Sequence, residues 1–221
     1  MGSDEWREER VAVRGTALAV RRRGEGCAFF WGHGVTSCSA DEDRLGLRLW
    51  SELGAGWQVV RIDARGHGAS QRETDPDTLR WPELAADWLA LADAFGHQRL
   101  VAAGASMGAA TAIHAAVAAP ERVEALVLMI PPTAWKTRAA QCDRYIAGAL
   151  LAERDGVDAL VQAEAKSPPI PLFEGLLDPV EAARARFGHM DAESLPAILR
   201  GAAASDLPAP GIDAPLASSA G

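Results

Sequence analysis

Between residues 27 and 119 the chain passes three times through one order: a short apolar run, a glycine-bearing loop, then a helical pattern. "CAFFW" leads through "GHGVTSC" to an acidic helix start at "ADED" and the amphipathic run "RLGLRLWSEL", expected to stay helical to Gly54. "WQVVRID" leads through "ARGHGAS" to "WPELAADWLALADAF", with Pro82 in its first turn and Leu84, Trp88, Leu91 and Phe95 on one face. "RLVAAG" leads through "GASMG" to "AATAIHAAVAA", which stops at Pro120, and "RVEALVLMI" follows as a further strand. Strands that are apolar at nearly every position are buried on both faces, so this alternation predicts an α/β fold: a mostly parallel sheet flanked by helices.

The flanking regions differ. Residues 10–31 read as two or three strands, "RVAVRG", "TALAVRRR" and "CAFFW", separated by turn-forming glycines, an antiparallel entry to the sheet. After "PPT" at 131–133 the alternation fails. "AAQCDRYIAGALLAER", "GVDALVQAEA" and "DPVEAARARF" are helical in pattern, with no convincing strand between them. The expected division is a core at 1–133, a helical insertion at 134–206 and an irregular Pro-, Ala- and Ser-rich tail at 207–221, with no internal sequence repeat. A chain of 221 residues with 48% hydrophobic content suits one domain with such an insertion.

Thirty acidic against 22 basic residues give a net charge of -8, which disfavours nucleic acid and anionic membrane surfaces and leaves small neutral substrates as the better fit. "MGSDEWREER" has no apolar leader segment, position 6 is Trp6 rather than the Ser or Thr of a myristoylation signal, and no apolar run is long enough to span a bilayer, so a cytoplasmic protein is expected. Cys27, Cys38 and Cys142 are odd in number and lack metal-ligand spacing; they read as reduced packing residues, and no metal cluster is expected.

"GASMG" at 104–108 is a Gly-x-Ser-x-Gly pentapeptide between a strand and a helix. The chemistry needs that setting. A serine on a sharp strand-to-helix turn is exposed and strained, side chains at the flanking glycines would clash with neighbouring chain, and the helix start aims free amides at developing negative charge. With "HG" at His33 and Gly34, "DARGHG" at Asp63 to Gly68 and "PERVEALVLM" after the helix, residues 10–133 resemble the α/β-hydrolase family in motif order. The resemblance implies Ser106 as nucleophile, the amides of Val35 and Met107 as an oxyanion hole contributing about 3 kcal/mol per donor, no cofactor, and hydrolysis of an ester, lactone or related acyl bond. Epoxide hydrolases and haloalkane dehalogenases of this fold carry Asp in the elbow, so serine favours acyl-enzyme chemistry. The insertion falls where family members carry a helical cap, and Trp135, Tyr145, Leu150, Leu151, Phe173 and Phe187 could line its pocket or hold its helices together.

Family members continue past the cap with two strands bearing an acid and a histidine; here "GIDAP" is followed only by "LASSAG", so the resemblance implies that both partners are missing and that activity is impaired. The histidines present are poor substitutes. His33 and His67 belong to structural loops, His97 faces solvent, His114 is about 12 Å along its helix from Ser106, and only His189 could fold over the serine. Among acids, Asp143 reads as a solvated helix residue and Asp63 as a partner for nearby backbone. Without a neighbouring strand, "VEALVLMI" is expected to be an exposed apolar edge prone to self-association. The competing reading is a non-catalytic small-molecule-binding or non-functional shortened member of the fold.

Overall fold

A computed structural model describes residues 5–44, 46, 50–167 and 178–209. Six strands, β1 (Arg7–Val13), β2 (Thr16–Arg23), β3 (Cys27–Gly32), β4 (Trp57–Ile62), β5 (Leu100–Ala105) and β6 (Val123–Met129), form one sheet in the order β1-β2-β4-β3-β5-β6. β1 with β2, and β2 with β4, are antiparallel; the remaining pairs are parallel. The polar, alternating hairpin lies at one margin and the apolar β4, β3 and β5 lie inside, while β6, apolar as well, forms the other margin.

Burial on two faces follows from the period of two. Ala28 and Phe30 of β3 pack with Trp88 and Leu91 of α2 (Trp81–Ala94) and Ala112 of α3 (Met107–Ala118). Phe29 and Trp31 point the other way and pack with Val59, Val101 and Ala103, with Trp6, Trp50 and Trp57 partly buried around them. α1 (Ser39–Arg44) is shorter than its amphipathic run suggests. Gly46 adopts φ +60 and closes a turn with its amide on the Asp43 carbonyl (3.1 Å), leaving the right-handed helix, and Trp50–Glu52 is a separate 3-10 turn.

After β6 come α4 (Arg138–Asp155), α5 (Val157–Glu164), α6 (Pro179–Phe187) and α7 (Ser194–Ala203). α7 has an apolar face and eight of its ten residues buried, but it is short and carries Pro196 in its first turn, where proline is tolerated although it reads as a helix breaker in sequence. It anchors the helical segment: Leu195, Ile198 and Leu199 share one apolar cluster with Val35, Leu79, Trp81 and Met107 of the sheet-bearing part. Ser205, just after α7, accepts from the Arg138 guanidinium through its carbonyl (2.9 Å) and from the Trp81 amide through its hydroxyl (3.1 Å). The tail residues 210–221 lie outside the described residues. Among the described residues no helix is long and apolar enough to cross a membrane.

The order β4-β3-β5 has a consequence for function. The chain leaves β3 to one side to make β4, then returns to make β5 on the other. Loops leaving the carboxyl ends of β3 and β5 therefore diverge and open a crevice, the place where ligands bind in open α/β sheets.

Candidate active site

Ser106 stands at that crevice. It follows β5 directly, caps α3, and holds φ 51, ψ -110, a conformation rare for any side chain but glycine. Three backbone bonds lock it there: its amide donates to the Met129 carbonyl (3.0 Å), the Gly108 amide donates to the His33 carbonyl (3.0 Å), and its own carbonyl accepts from the Ala110 amide (3.0 Å). The flanking glycines are required by contact. A Cβ on Gly104 would lie 2.3 Å from the Gly108 carbonyl carbon, and one on Gly108 would lie 2.1 Å from the Gly32 oxygen. α3 thus lies directly against β3 and β5, and that approach presents the half-buried Ser106 at the crevice.

The loop leaving β3 brings Gly34 alongside: a Cβ there would stand 3.9 Å from Ser106 Cβ. Among the described residues neither the Val35 amide nor the Met107 amide has a hydrogen-bond partner, and both side chains are buried in the cluster shared with α7. Met107 opens α3, so its N–H lies at the positive end of that helix. The two amides sit on the segments that flank the strained serine, the loop after β3 and the first turn of α3.

The loop geometry is held by histidines. His33 Nε2 accepts from the Ala64 amide (3.1 Å) while Nδ1 faces the Gly34 carbonyl (2.8 Å), which puts its proton on Nδ1. His67 sits between two carbonyls, Nδ1 2.7 Å from Arg65 and Nε2 2.9 Å from Val35, and as a neutral ring donates to one of them. Burial, helped by the neighbouring His33, pushes His67 down to about 4, so the ring is neutral near pH 7. Asp63 accepts from the amides of Ser39 (2.8 Å) and Ala69 (3.0 Å), fixing both loops to the end of β4. Arg65 makes a two-pronged buried pair with Asp87 of α2 (2.6 and 2.8 Å), which Arg14 also contacts (2.9 Å); the bond to Asp87 raises the Arg65 pKa against the opposing effect of burial.

The remaining sequence candidates lie elsewhere. His97 is half-buried rather than solvated, bonded to Gln58 Oε1 (2.7 Å) and edge-on to Phe30, and burial lowers its pKa. His114 bonds the Asp206 carbonyl (2.8 Å) and is likewise lowered by burial. His189 turns away from Ser106 to Asp41 (2.6 Å). Asp143 is exposed on α4. Phe187 is buried between helices, and Tyr145 and Leu151 pack on the same cluster, whereas Trp135 and Leu150 are 52% and 53% exposed. Phe173 lies outside the described residues. All five histidines of the chain are therefore engaged away from Ser106.

One grouping had no sequence signal. Cys38, Asp41 and His189 converge although 148 to 151 positions separate the histidine from the other two, and Cys38 and Asp41 alone match no ligand spacing. Burial, with neighbouring Asp63 and Asp41, pushes the Cys38 thiol up to about 12. Burial also acts to raise Asp41, but its bond to His189 and the nearby charges outweigh this and lower it.

Comparison with known proteins agrees with the architecture. The family profile described as alpha/beta hydrolase fold matches residues 33–168. A 2-(acetamidomethylene)succinate hydrolase from Mesorhizobium japonicum is 30% identical over 128 residues, 58% of this chain and 44% of that protein, so the match spans less than half of the relative. A crystal structure of a hydrolase from Pseudomonas aeruginosa superposes with a TM-score of 0.71 at 27% identity, over 90% of this chain and 73% of that one. An enol-lactonase from Burkholderia xenovorans gives 0.69 at 24% identity, over 90% and 75% respectively.

Proposed function

The chain belongs to the α/β hydrolase fold family, and from that premise we propose that it cleaves an ester, lactone or related acyl bond with Ser106 as nucleophile. One observation carries this reading: a serine at φ 51, ψ -110 between β5 and α3, with two unpartnered amides, Val35 and Met107, at the same crevice. Ser106 Oγ attacks the acyl carbon, the carbonyl oxygen collects negative charge, and the two N–H groups receive it. The acyl C–O bond then breaks, the alcohol leaves with the proton given up by the serine, and water hydrolyses the acyl-enzyme to the acid and the free serine. No cofactor enters, and the net charge of -8 favours a small neutral substrate over nucleic acid or a membrane surface. Relatives that hydrolyse a lactone and an acetamido compound are in keeping with acyl chemistry.

The serine proton needs a base, and each histidine is occupied elsewhere. Turnover is therefore expected to be slow, about 10³-fold over water from the oxyanion hole and binding alone. The same observation favours a second reading, a binding protein that retains the pocket without turnover. Labelling with a fluorophosphonate, with Ser106→Ala as control, separates the two. Ser106-dependent labelling together with slow ester cleavage supports the first; absence of both overturns it in favour of the second.

We also propose that the open side of β6 pairs with a second copy of the chain. Leu126, Val127, Leu128 and Met129 are 39–43% exposed and Ile130 67%, an unshielded apolar edge.

A further inference from the structure

Away from the Ser106 crevice, the segment after β3 and the turn after α6 bring three donor atoms of different chemistry to one point. Cys38 Sγ, an Asp41 carboxylate oxygen and His189 Nε2 lie within 4.8 Å of one another. Cys38 Sγ is 3.3 Å and His189 Nε2 is 2.6 Å from the same oxygen, Asp41 Oδ2. We propose that these three atoms are a binding site for a divalent transition-metal ion, zinc being the best match, which fastens the helical segment to the sheet-bearing core. The proposal is independent of the chemistry at Ser106.

The donor set selects the metal. A thiolate, an imidazole and one carboxylate oxygen suit zinc, whereas magnesium and calcium take oxygen donors. The spacing is close to what tetrahedral coordination needs: with bonds of about 2.0–2.3 Å, ligand atoms stand about 3.3–3.7 Å apart. The sulfur and oxygen are already at that separation. The histidine–carboxylate contact must open by about 1 Å as the ion replaces the proton shared between them, and the sulfur–nitrogen pair, within 4.8 Å, must close by at most a shift of similar size.

The surroundings supply what a bound ion requires of its outer shell. His189 Nδ1 lies 3.1 Å from the Ala185 carbonyl, which would hold the ring's one remaining proton once an ion takes the place of the proton between Nε2 and Asp41. Arg44 occupies the other carboxylate oxygen of Asp41 (2.9 Å) and also reaches the Ala185 carbonyl (3.3 Å), leaving Oδ2 as a single-oxygen ligand. Gly68 is wedged between Cys38 and Asp63: a Cβ on it would stand 2.8 Å from Cys38 Cβ and 2.2 Å from Asp63 Oδ2. Asp63 thus adds a negative charge without being a ligand, since its oxygens accept backbone amides. The charges facing the site are those of Asp41, Asp63 and Arg44, with the Cys38 thiolate once metal binds, a net negative field. Cys38 and Asp41 are 4% and 7% exposed, while the His189 side chain is 26% exposed, leaving one side open for entry and for a water as fourth ligand.

Cobalt replaces zinc in such sites and reports on sulfur ligation through a thiolate-to-metal charge-transfer absorption. The expected result is one equivalent of Co2+ bound with that absorption, displaced by Zn2+, and a rise in the melting temperature of the intact chain with Zn2+. Cys38→Ser abolishes the absorption; Cys27→Ser and Cys142→Ser leave it unchanged. His189→Gln, at a partly exposed turn where folding is preserved, weakens Co2+ binding at least about 10–100-fold and removes the thermal response. Absence of the absorption in the wild-type chain, its persistence in Cys38→Ser, or an undiminished zinc response in His189→Gln each overturns the proposal.

Discussion

The two walls of the Ser106 crevice are built to different standards. On the β3–β4 side, the loops carrying Val35 and Arg65 are buried and cross-braced: His67 is wedged between two carbonyls, Asp63 accepts two amides, and Arg65 is paired with Asp87 on α2. On the β6 side the chain is open. Among the described residues Leu126 to Met129 pair with β5 on one side only, Ile130 follows at φ 39 and is two-thirds exposed, and no side chain of this wall hydrogen-bonds Ser106. The braced wall carries the amides proposed to receive negative charge, and among the described residues the β6 wall presents no side-chain base to Ser106. Stabilising an oxyanion requires fixed dipoles, which backbone supplies locally; holding a base requires a further element packed against β6.

Because the two walls differ in this way, perturbing the braced one should cost far more than perturbing the open one. Asp87→Ala should have the largest effect, about 3–5 kcal/mol in denaturant unfolding, because it strands the buried Arg65 guanidinium. A loss below about 1 kcal/mol would show that this pair is dispensable. Gly108→Ala comes next, at about 3 kcal/mol, since its Cβ meets the Gly32 oxygen and backbone must move on both sides. It should also abolish Ser106 labelling; retained labelling would mean the elbow tolerates the shift.

Acid should weaken the same wall through His67. Its folded pKa of about 4 lies below the ordinary 6.5, so the unfolded chain takes up the proton first. The stabilisation is full above pH 6.5 and is lost as pH falls through 4, amounting to about 3 kcal/mol between pH 7 and pH 4. His67→Asn should flatten that part of the stability profile, and an unchanged slope would assign the loss to other groups. The smallest effect on stability is expected from Leu128→Lys on the open wall, within about 0.5 kcal/mol. Its consequence should be seen in sedimentation instead, as a shift from dimer to monomer; a wild-type chain that is already monomeric at high concentration would remove the edge-pairing proposal.

Much of this molecule was legible in local pattern. The strands and α2, α3 and α6 fall within a few residues of their expected positions, because an apolar strand or an amphipathic helix declares its buried faces through its own period. Where the pattern failed, the cause was a residue's backbone or surroundings. Gly46 turns left-handed and ends α1 early, and α7 is only ten residues long with Pro196 in its first turn, which hides a helix that burial then secures. His97 was read as solvated, since nothing nearby in sequence reveals Gln58 and Phe30 folding onto it.

The site divides along the same line. Gly104, Ser106 and Gly108 can be read directly, because an elbow is a contact between residues four apart and its glycines record the space that must be left empty. The partners of a side chain are set by distant segments. That His189 would turn to Asp41 and Cys38 rather than to Ser106, and that the wall at β6 would stand open while the wall at Val35 is braced, depended on how α6, α7 and the sheet pack. A single chain's order of residues specifies local period and close contact; which distant atoms share a point is decided only when apolar faces are buried against one another in three dimensions.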